Sequence, residues 1–233
     1  MNPWILVLLS AVVFFVAIPG IGAFVVRARW RRFRAGMLRS SRWPQLHYGE
    51  IHGADDRRRG ADRTMVGRYR MIGTLEATEG DELIWISTRG TSVAADLTGV
   101  SIYVLPPGGL ISHTFPDQTP RVFSWAELAA LPEGTRVFVA GTLFIDNEGP
   151  RFQNSVELPL MVVVYDSDEA ELLPRAIWTG RQRNEYWNEF TPVTLTAGFL
   201  AELILSIVSA DTAPITSMVA MILAVTPIIP IFP

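Results

Sequence analysis

The stretch WILVLLSAVVFFVAIPGIGAFVVRARWRRFR, residues 4–34, determines the architecture expected for the chain. Its first 23 residues, Trp4–Val26, carry no charge, and at about 1.5 Å per residue they can cross a hydrocarbon core about 30 Å thick. The segment has no basic start and is longer than the apolar region of a signal peptide. We therefore expect residues 1–26 to form an uncleaved transmembrane helix.

Two further apolar segments lie near the C-terminal end. They cover Pro192–Ala210 and Pro214–Phe232, and only residues 211–213 separate them. A connection this short makes two consecutive helices antiparallel neighbours. The sequence thus predicts a transmembrane helical hairpin over residues 191–233, and three transmembrane helices in all.

Arginine supplies all 20 basic residues and is distributed unevenly around these segments. Seven arginines fall within residues 27–42, directly after the first segment, and Arg175, Arg181 and Arg183 precede the second, whereas the hairpin connection has none. Cytoplasmic flanks of membrane helices are enriched in basic residues. The pattern predicts a multi-pass protein of a bacterial inner membrane, with the N-terminus outside and residues 27–190 in the cytoplasm.

Some side chains next to the membrane segments suit direct contact with membrane lipid. Juxtamembrane basic clusters attract anionic headgroups by about 1 kcal/mol per charge, and aromatic side chains collect at the membrane interface. The candidates for headgroup contact are Arg27, Arg29, Trp30, Arg31, Arg32 and Arg34. The candidates for interfacial anchoring are Trp178, Tyr186 and Trp187.

The region between the apolar segments is polarised in charge. Residues 27–70 contain 13 Arg and four acidic residues, net +9, whereas residues 71–190 contain 7 Arg and 17 acidic residues, net −10. Binding a phosphate backbone requires cations, so we expect no nucleic-acid partner for the acidic body. The chain has no Cys, which excludes a disulfide, a thiolate metal site and a Cys nucleophile.

Alternating patterns typical of β-strands predict a domain over residues 65–166. Five or six strands are expected, near residues 66–77, 81–88, 99–105, 135–145, 151–158 and 160–165. Ser124 and Glu127 form a capping box that predicts a short helix. The sequence DNEG, Asp146–Gly149, has the composition of a hairpin turn.

The order of three strands, a helix and a hairpin, with phrases such as PEGTRVFVAGTLFIDNEGPRF at residues 132–152, resembles an OB-fold barrel. It looks like the modules that NfeD-like proteins carry on a transmembrane anchor. The resemblance covers about residues 66–165 and implies a small antiparallel OB-like β-barrel with one short helix. With the three apolar segments, the expected fold is a membrane protein of mixed α and β structure, in which three transmembrane helices carry this barrel.

The segments on either side of this domain show no sustained period. Residues 27–64 are expected to form a basic neck and a linker. The spacing of His47, Glu50 and His52 differs by one residue from metalloprotease motifs, so no metal site is expected there. Residues 167–190 are predicted to be an interfacial segment, helical in part and interrupted at Pro174 and Gly180, that lies along the membrane surface.

Glu202 is the most unusual single residue, because it lies near the middle of the second apolar segment. A carboxylate at this depth costs several kcal/mol unless it is protonated, paired or hydrated. It could bond across helices or to a partner subunit, or it could serve a proton or ion relay. The candidate hydrogen-bond partners are Thr194, Thr196, Ser206, Thr216, Ser217 and Thr226.

No catalytic constellation appears in the sequence, and no cofactor is expected. The expected function is a non-enzymatic, membrane-tethered interaction or assembly module that binds a protein partner or a second copy of itself. The alternative is a subunit of a membrane enzyme or transport complex that uses Glu202 within the bilayer.

Overall fold

A computed structural model describes residues 3–55, 63–80, 82–88, 90–105, 121–155, 159–178, 188–210 and 213–225. The chain contains both helices and strands and divides into two units. The helical unit comprises Met1–Arg31 and Arg183–Pro233, and the β-rich unit comprises Arg32–Gln182. The mixed α and β structure predicted from the sequence is confirmed.

The described α-helices are α1 (Pro3–Val12), α2 (Ile18–Ser40), α3 (Tyr48–Asp55), α4 (Trp125–Ala129), α5 (Glu169–Trp178), α6 (Thr191–Ser209) and α7 (Pro214–Val225). A π-helical turn, Val13–Ala17, joins α1 to α2. The described strands are β1 (Thr64–Glu79), β2 (Leu83–Thr88), β3 (Thr91–Asp96), β4 (Ile102–Val104), β5 (Arg121–Phe123), β6 (Arg136–Asp146), β7 (Gly149–Gln153) and β8 (Met161–Tyr165).

Two helical stretches are long and apolar enough to cross a membrane, judged by length and composition. They are Pro3–Ser40, which joins α1, the π-helical turn and α2, and Thr191–Ser209, which is α6. The third predicted span differs, because α7 has 12 described residues and a span needs about 20. Residues 226–233, which would complete it, lie outside the described residues.

The π-helical turn explains how the first stretch passes a proline. Pro19 has no N–H, and its ring crowds the carbonyl four residues earlier, that of Phe15. In the π-helical turn the N–H of Ile18 donates to the carbonyl of Val13, five residues earlier. The helix widens before the proline instead of ending, and α2 therefore continues beyond it.

The described strands of the β-rich unit form one sheet of eight strands. The order is β1-β2-β3-β7-β6-β8-β4-β5, and β1 also pairs with β6. The β3–β7 and β4–β8 pairs are parallel, and the other pairs are antiparallel. Because β1 pairs with both β2 and β6, the strands β1, β2, β3, β7 and β6 form a closed cycle of pairings.

The expected number of strands, five or six, is too low. The prediction missed β3 and β5, and β3 shows why. Its sequence TSVAAD is rich in small and polar residues that favour strands weakly. All six of its positions pair with β2, so this strand depends on its neighbour more than on its own sequence.

The strand β1 changes partners near Gly73. Residues 64–74 pair with β6, and residues 74–79 pair with β2. A Cβ atom at position 73 would lie 2.4 Å from the carbonyl oxygen of Ser87 on β2. Glycine is therefore needed where β1 passes between its two partners, because any side chain would collide with the β2 backbone.

The core of the β-rich unit includes Leu128 of α4, which is fully buried. The helix α4 begins at the predicted capping box: the Ser124 N–H donates to Glu127 Oε2 at 2.9 Å, and the Glu127 N–H donates to Ser124 Oγ at 3.4 Å. Hydrogen bonds from Ser124, with a smaller contribution from Arg121, hold the pKa of the Glu127 carboxyl below its ordinary value. The predicted capping box is confirmed.

The predicted hairpin turn is also confirmed. The strand β6 ends at Asp146 and β7 begins at Gly149. The Glu148 N–H donates to Asp146 Oδ1 at 2.9 Å, and Gly149 has a φ of 115°, which favours glycine. The backbone N–H of Glu148 thus finds its acceptor within the turn, and the chain returns antiparallel to β6.

The segment predicted to be a basic neck and a linker, residues 27–64, is more ordered than expected. The helix α3 lies within it, and Gln45 forms a parallel bridge with Arg70 of β1. Leu46 and Ile51 are buried in the core of the β-rich unit. Sequence reasoning missed this arrangement because two apolar side chains are too few to produce a detectable period.

The break predicted at Pro174 is wrong, because α5 continues through it. A proline in a helix interior removes one hydrogen bond and costs about 3 kcal/mol or more. Leu172 and Ala176 are buried on one face of α5, and Arg175 forms an ion pair with Asp166 at 3.4 Å. This packing, within the β-rich unit, holds the helix together across the proline.

Candidate functional site in the helical unit

The buried face of α6 consists mostly of polar and small side chains. It comprises Thr191, Thr194, Leu195, Gly198, Glu202, Ser206 and Ser209. The spacing of three or four residues is that of one helix face. Apolar side chains of the same helix, among them Val193, Ile204 and Val208, are exposed. The helix is therefore polar inside and apolar outside, the reverse of a helix on a water-soluble protein.

The first helical stretch runs antiparallel to α6. A Cβ atom at Gly198 would lie 2.4 Å from Phe15 Cε1, so glycine at this position lets the two helices approach closely, as small residues do at membrane helix interfaces. Three contacts define the pairing: Ser10 with Glu202, Phe15 with Gly198, and Pro19 with Asn188.

Glu202 lies inside this packing and is 0% exposed. Ser10 of α1 is its neighbouring hydroxyl. Among the described residues, however, no atom is in hydrogen-bonding geometry with Ser10 Oγ or with either carboxyl oxygen of Glu202. Buried polar groups are nearly always hydrogen-bonded, and leaving one unsatisfied costs about 1–3 kcal/mol.

The hydroxyls predicted to bond Glu202 have other arrangements. Ser206 Oγ lies 3.1 Å from the Ser217 carbonyl oxygen and 3.0 Å from Ser217 Oγ, and this contact joins α6 to α7 as antiparallel neighbours. Thr216 is buried, and its hydroxyl has no partner among the described residues. The remaining candidates are Thr194 and Thr196, which bond to carbonyls of their own helix, and Thr226, which lies outside the described residues.

A second polar contact joins α2 to the start of α6, and sequence reasoning missed it. Asn188 Nδ2 donates to the carbonyl oxygen of Pro19 at 3.0 Å, and Asn188 Oδ1 accepts from the Phe190 N–H at 3.0 Å. A Cβ atom at Gly22 would lie 2.4 Å from Asn188 Oδ1. The partners are 169 positions apart in the chain, so no local pattern could indicate the contact.

The arginines predicted to contact headgroups are largely accessible. Arg27, Arg29, Arg31 and Arg32 are exposed, and Arg34 is half-buried. Arg29 forms an ion pair with Glu189 at 3.2 Å, both side chains being about half exposed, and such pairs contribute little stability. Trp30 is different, because it is only 4% exposed, so its ring is not available for the headgroup contact predicted for it.

The interfacial aromatic residues singled out from the sequence stay a prediction. Trp178 ends α5, but its side chain lies outside the described residues, as do Tyr186 and Trp187. The backbone N–H of His47 donates to Glu50 Oε2 at 3.2 Å, at the start of α3. Within the described ranges, no group of three His, Asp or Glu side chains could hold a metal ion.

Comparison with known proteins adds no family assignment. No protein-family model matches the chain, and no curated protein matches it. The NfeD-like resemblance stays a prediction. What the chain does must therefore be argued from the buried carboxyl of Glu202, the polarity of the helices and the surface of the β-rich unit.

Proposed function

We propose that the chain is a multi-pass protein of a bacterial inner membrane that anchors its β-rich unit on the cytoplasmic side. The observation that carries this proposal is the inverted polarity of the helical unit. Leu8, Phe24 and Val208 are 66%, 73% and 71% exposed, whereas Glu202 and Thr216 are 0% exposed. In water, exposed apolar surface costs roughly 25 cal/mol per Å². In lipid this cost disappears, and polar side chains belong inside the bundle.

In this proposal α7 belongs to a third span. The apolar sequence runs from Pro214 to Phe232, which is 19 residues, close to the number that a bilayer requires. The contact between Ser206 and Ser217 supports the hairpin, because hydroxyls bonded across two helices are typical of membrane bundles.

The absence of Cys allows a direct test of the orientation. Glu133, exposed in the β-rich unit, and Ala213, between α6 and α7, are each replaced by Cys. A maleimide that cannot cross membranes should label Ala213→Cys in intact cells, and should label Glu133→Cys only after the cells are permeabilised. Labelling of Glu133→Cys in intact cells would reverse the proposed orientation. Extraction of the chain by alkaline carbonate would rule out membrane insertion.

We further propose that the β-rich unit is an OB-like barrel, distantly related to the NfeD-like modules. The closed cycle of pairings through β1 and β6 supports this. The helix α4 also supports it, because along the chain it lies between β3 and β6, which are successive strands of that cycle. The parallel pairing of β3 with β7 connects the first half of the cycle to the second.

The proposed role of the β-rich unit is non-enzymatic binding of a protein partner or of a second copy of the chain. The edge strand β5 supports this role, because among the described strands it pairs only with β4. Val122 on β5 is also exposed. Exposed strand edges accept an additional strand.

The partner proposal is tested with a matched pair of variants, Val122→Glu and Met65→Glu. Both residues are exposed and apolar, but Met65 lies on β1, which is not a neighbour of β5 in the sheet. Full-length chain is purified in mild detergent, and its mass and companions are determined by light scattering and mass spectrometry. The partner or second copy should be lost from Val122→Glu and retained by Met65→Glu. Equal behaviour of both variants would exclude the edge as the binding surface.

A second candidate function is favoured by the carboxyl of Glu202, which has no hydrogen-bond partner among the described residues. A chain that keeps an unsatisfied buried carboxyl, at a cost in stability, is consistent with a subunit of a membrane enzyme or transport complex in which Glu202 takes up a proton. The chain and its companions are reconstituted in vesicles that contain a pH-sensitive dye. Wild type should dissipate an imposed pH gradient faster than Glu202→Gln. Equal rates would remove this candidate and leave the anchoring role intact.

A further inference from the structure

A cleft in the β-rich unit lies between the last turns of α2 and the loops that precede β4 and β8. Its volume is about 240 Å³. Arg32 and Arg39, two helical turns apart on α2, both line it, and Trp43 lines it beyond the end of the helix. Sequence reasoning listed Arg32 as one of several basic residues but did not separate it from its neighbours.

The described lining of the cleft is positive although the β-rich unit as a whole is slightly acidic. No Asp or Glu is among the described residues that line it, whereas Arg32–Gln182 contain 16 Arg and 19 acidic residues, net −3. Neither Arg32 nor Arg39 forms a hydrogen bond or ion pair with any described residue. By contrast, Arg136 and Arg175 of the same unit are each paired with a carboxylate. The two cleft arginines thus keep their full donor capacity.

Asn154 adds a neutral donor to the same wall. Its Oδ1 accepts a hydrogen bond from the Leu160 N–H at 3.1 Å, which orients the amide. The Nδ2 group has no partner among the described residues, and the exposed Ser101 hydroxyl also lines the cleft. The described polar lining thus consists of two guanidinium groups, an amide and a hydroxyl, which are groups that bind phosphate oxygens.

The other side of the cleft is aromatic and aliphatic. Phe33 is buried and packs against Tyr103 with ring centroids 4.6 Å apart, and both residues line the cleft with Trp43. The volume is below the 300–1,000 Å³ or so of sites for drug-sized ligands. A headgroup with a short carbon backbone therefore fits the space better than a nucleotide does.

We propose that this cleft binds a phosphate monoester or diester on a small polyol, such as a glycerol phosphate group, with Arg32 and Arg39 holding the phosphate and Trp43 covering the carbon backbone. The group could come from a phospholipid or from a free phosphorylated polyol. Arg32 follows Val26, the last residue of the apolar stretch, by six positions in the sequence, which is consistent with the lipid source.

The test compares two double variants that remove the same charge from the β-rich unit. Arg32→Gln/Arg39→Gln alters the cleft, and Arg42→Gln/Arg68→Gln alters two exposed arginines that do not line it. Full-length chain in detergent is titrated with sn-glycerol 3-phosphate by calorimetry and, separately, with phosphatidylglycerol and phosphatidylcholine by native mass spectrometry. Circular dichroism verifies that each variant is folded.

Wild type should bind phosphatidylglycerol, sn-glycerol 3-phosphate or both, in a 1:1 ratio. The cleft variant should weaken binding at least tenfold, and the matched control should stay within about twofold of wild type. Saturation by phosphatidylglycerol alone identifies a lipid source, and saturation by sn-glycerol 3-phosphate identifies a free ligand. Equal weakening by both double variants, or no binding of either probe by wild type, would overturn the proposal.

A third variant tests the same geometry without removing an arginine. Asn154→Asp keeps the oxygen that accepts from Leu160 but adds a negative charge to the cleft, so it should also weaken binding. The sn-glycerol 3-phosphate titration does not depend on a membrane. If the chain proved not to be anchored in a membrane, this titration would therefore still be interpretable. If the cleft proved not to bind phosphate, the proposed anchoring would be unaffected.

Discussion

Replacing Glu202 with methionine should stabilise the helical unit. The two side chains have similar length and volume, so the variant leaves no large cavity. The carboxyl is fully buried, and neither oxygen has a hydrogen-bond partner among the described residues. The change therefore removes a buried polar group whose neighbouring hydroxyl, that of Ser10, lies outside hydrogen-bonding geometry.

The magnitude follows from the cost of an unsatisfied buried group, which is about 1–3 kcal/mol. For a chain of this size, 1 kcal/mol shifts the midpoint of thermal unfolding by about 2–4 °C. Glu202→Met should thus raise the midpoint by about 2–12 °C. Glu202→Gln keeps a polar group in the same place and should give little or no gain.

Ser206→Ala is the matched control, because Ser206 lies one turn further along the buried face of α6 and its hydroxyl is bonded to Ser217. Removing this hydroxyl should destabilise the chain by about 0.5–1.5 kcal/mol. Thermal unfolding of each full-length variant, in the same detergent and followed by circular dichroism, measures the difference. The two substitutions on one helix face should therefore shift the midpoint in opposite directions.

A lower midpoint for Glu202→Met, equal to or below that of Ser206→Ala, would refute this reasoning. It would mean that the carboxyl makes a stabilising bond, and that Glu202 holds the helices together. A higher midpoint combined with lost proton uptake would instead show that the chain gives up stability to keep an ionisable group inside the bundle.

Two further predictions concern local packing and pH. Gly22→Ala should lower the unfolding midpoint, since its Cβ would lie 2.4 Å from Asn188 Oδ1, and overpacking costs about 1–3 kcal/mol. Gly20→Ala should raise the midpoint slightly, because no atom lies within 4 Å of the added Cβ atom and alanine favours helices over glycine by about 1 kcal/mol. A lower midpoint for Gly20→Ala would contradict the open space around this position. Ser124→Ala should raise the pKa of Glu127 part of the way towards its ordinary value, measurable by carboxyl NMR titration, because the hydroxyl bond is lost while the backbone N–H of residue 124, the larger cause of the lowered pKa, remains. Since the folded-state pKa is lowered, the stabilisation from this carboxyl is present above its ordinary pKa and is lost as the pH falls through the lowered value. An unchanged titration in Ser124→Ala would argue against the bond from the Ser124 hydroxyl.

The features predicted correctly from the sequence depend on residues close together in the chain. The capping box at Ser124 and Glu127 spans one helical turn, and the hairpin turn at residues 146–149 joins two adjacent strands. The first apolar stretch and α6 were recognised from uninterrupted composition alone. Each of these signals is local, so the order of residues is enough to specify it.

The features that were missed depend on packing between distant parts of the chain. The strand β3 has a weak strand sequence and forms because β2 pairs with it along its whole length. The break expected at Pro174 does not occur, because Leu172 and Ala176 are buried. In both cases tertiary contacts outweigh the local preference of the sequence.

By itself the sequence determined the two long apolar stretches, the concentration of arginine beside them and the position of a carboxyl at residue 202. Only the tertiary structure decided that this carboxyl lies beside Ser10 and outside hydrogen-bonding geometry with every described residue, and that Arg32 and Arg39 share a cleft whose described lining has no Asp or Glu. The physical reason is that charge and hydropathy are properties of single residues and their neighbours in the chain. Whether a buried group is satisfied depends on which distant side chains the fold brings to it.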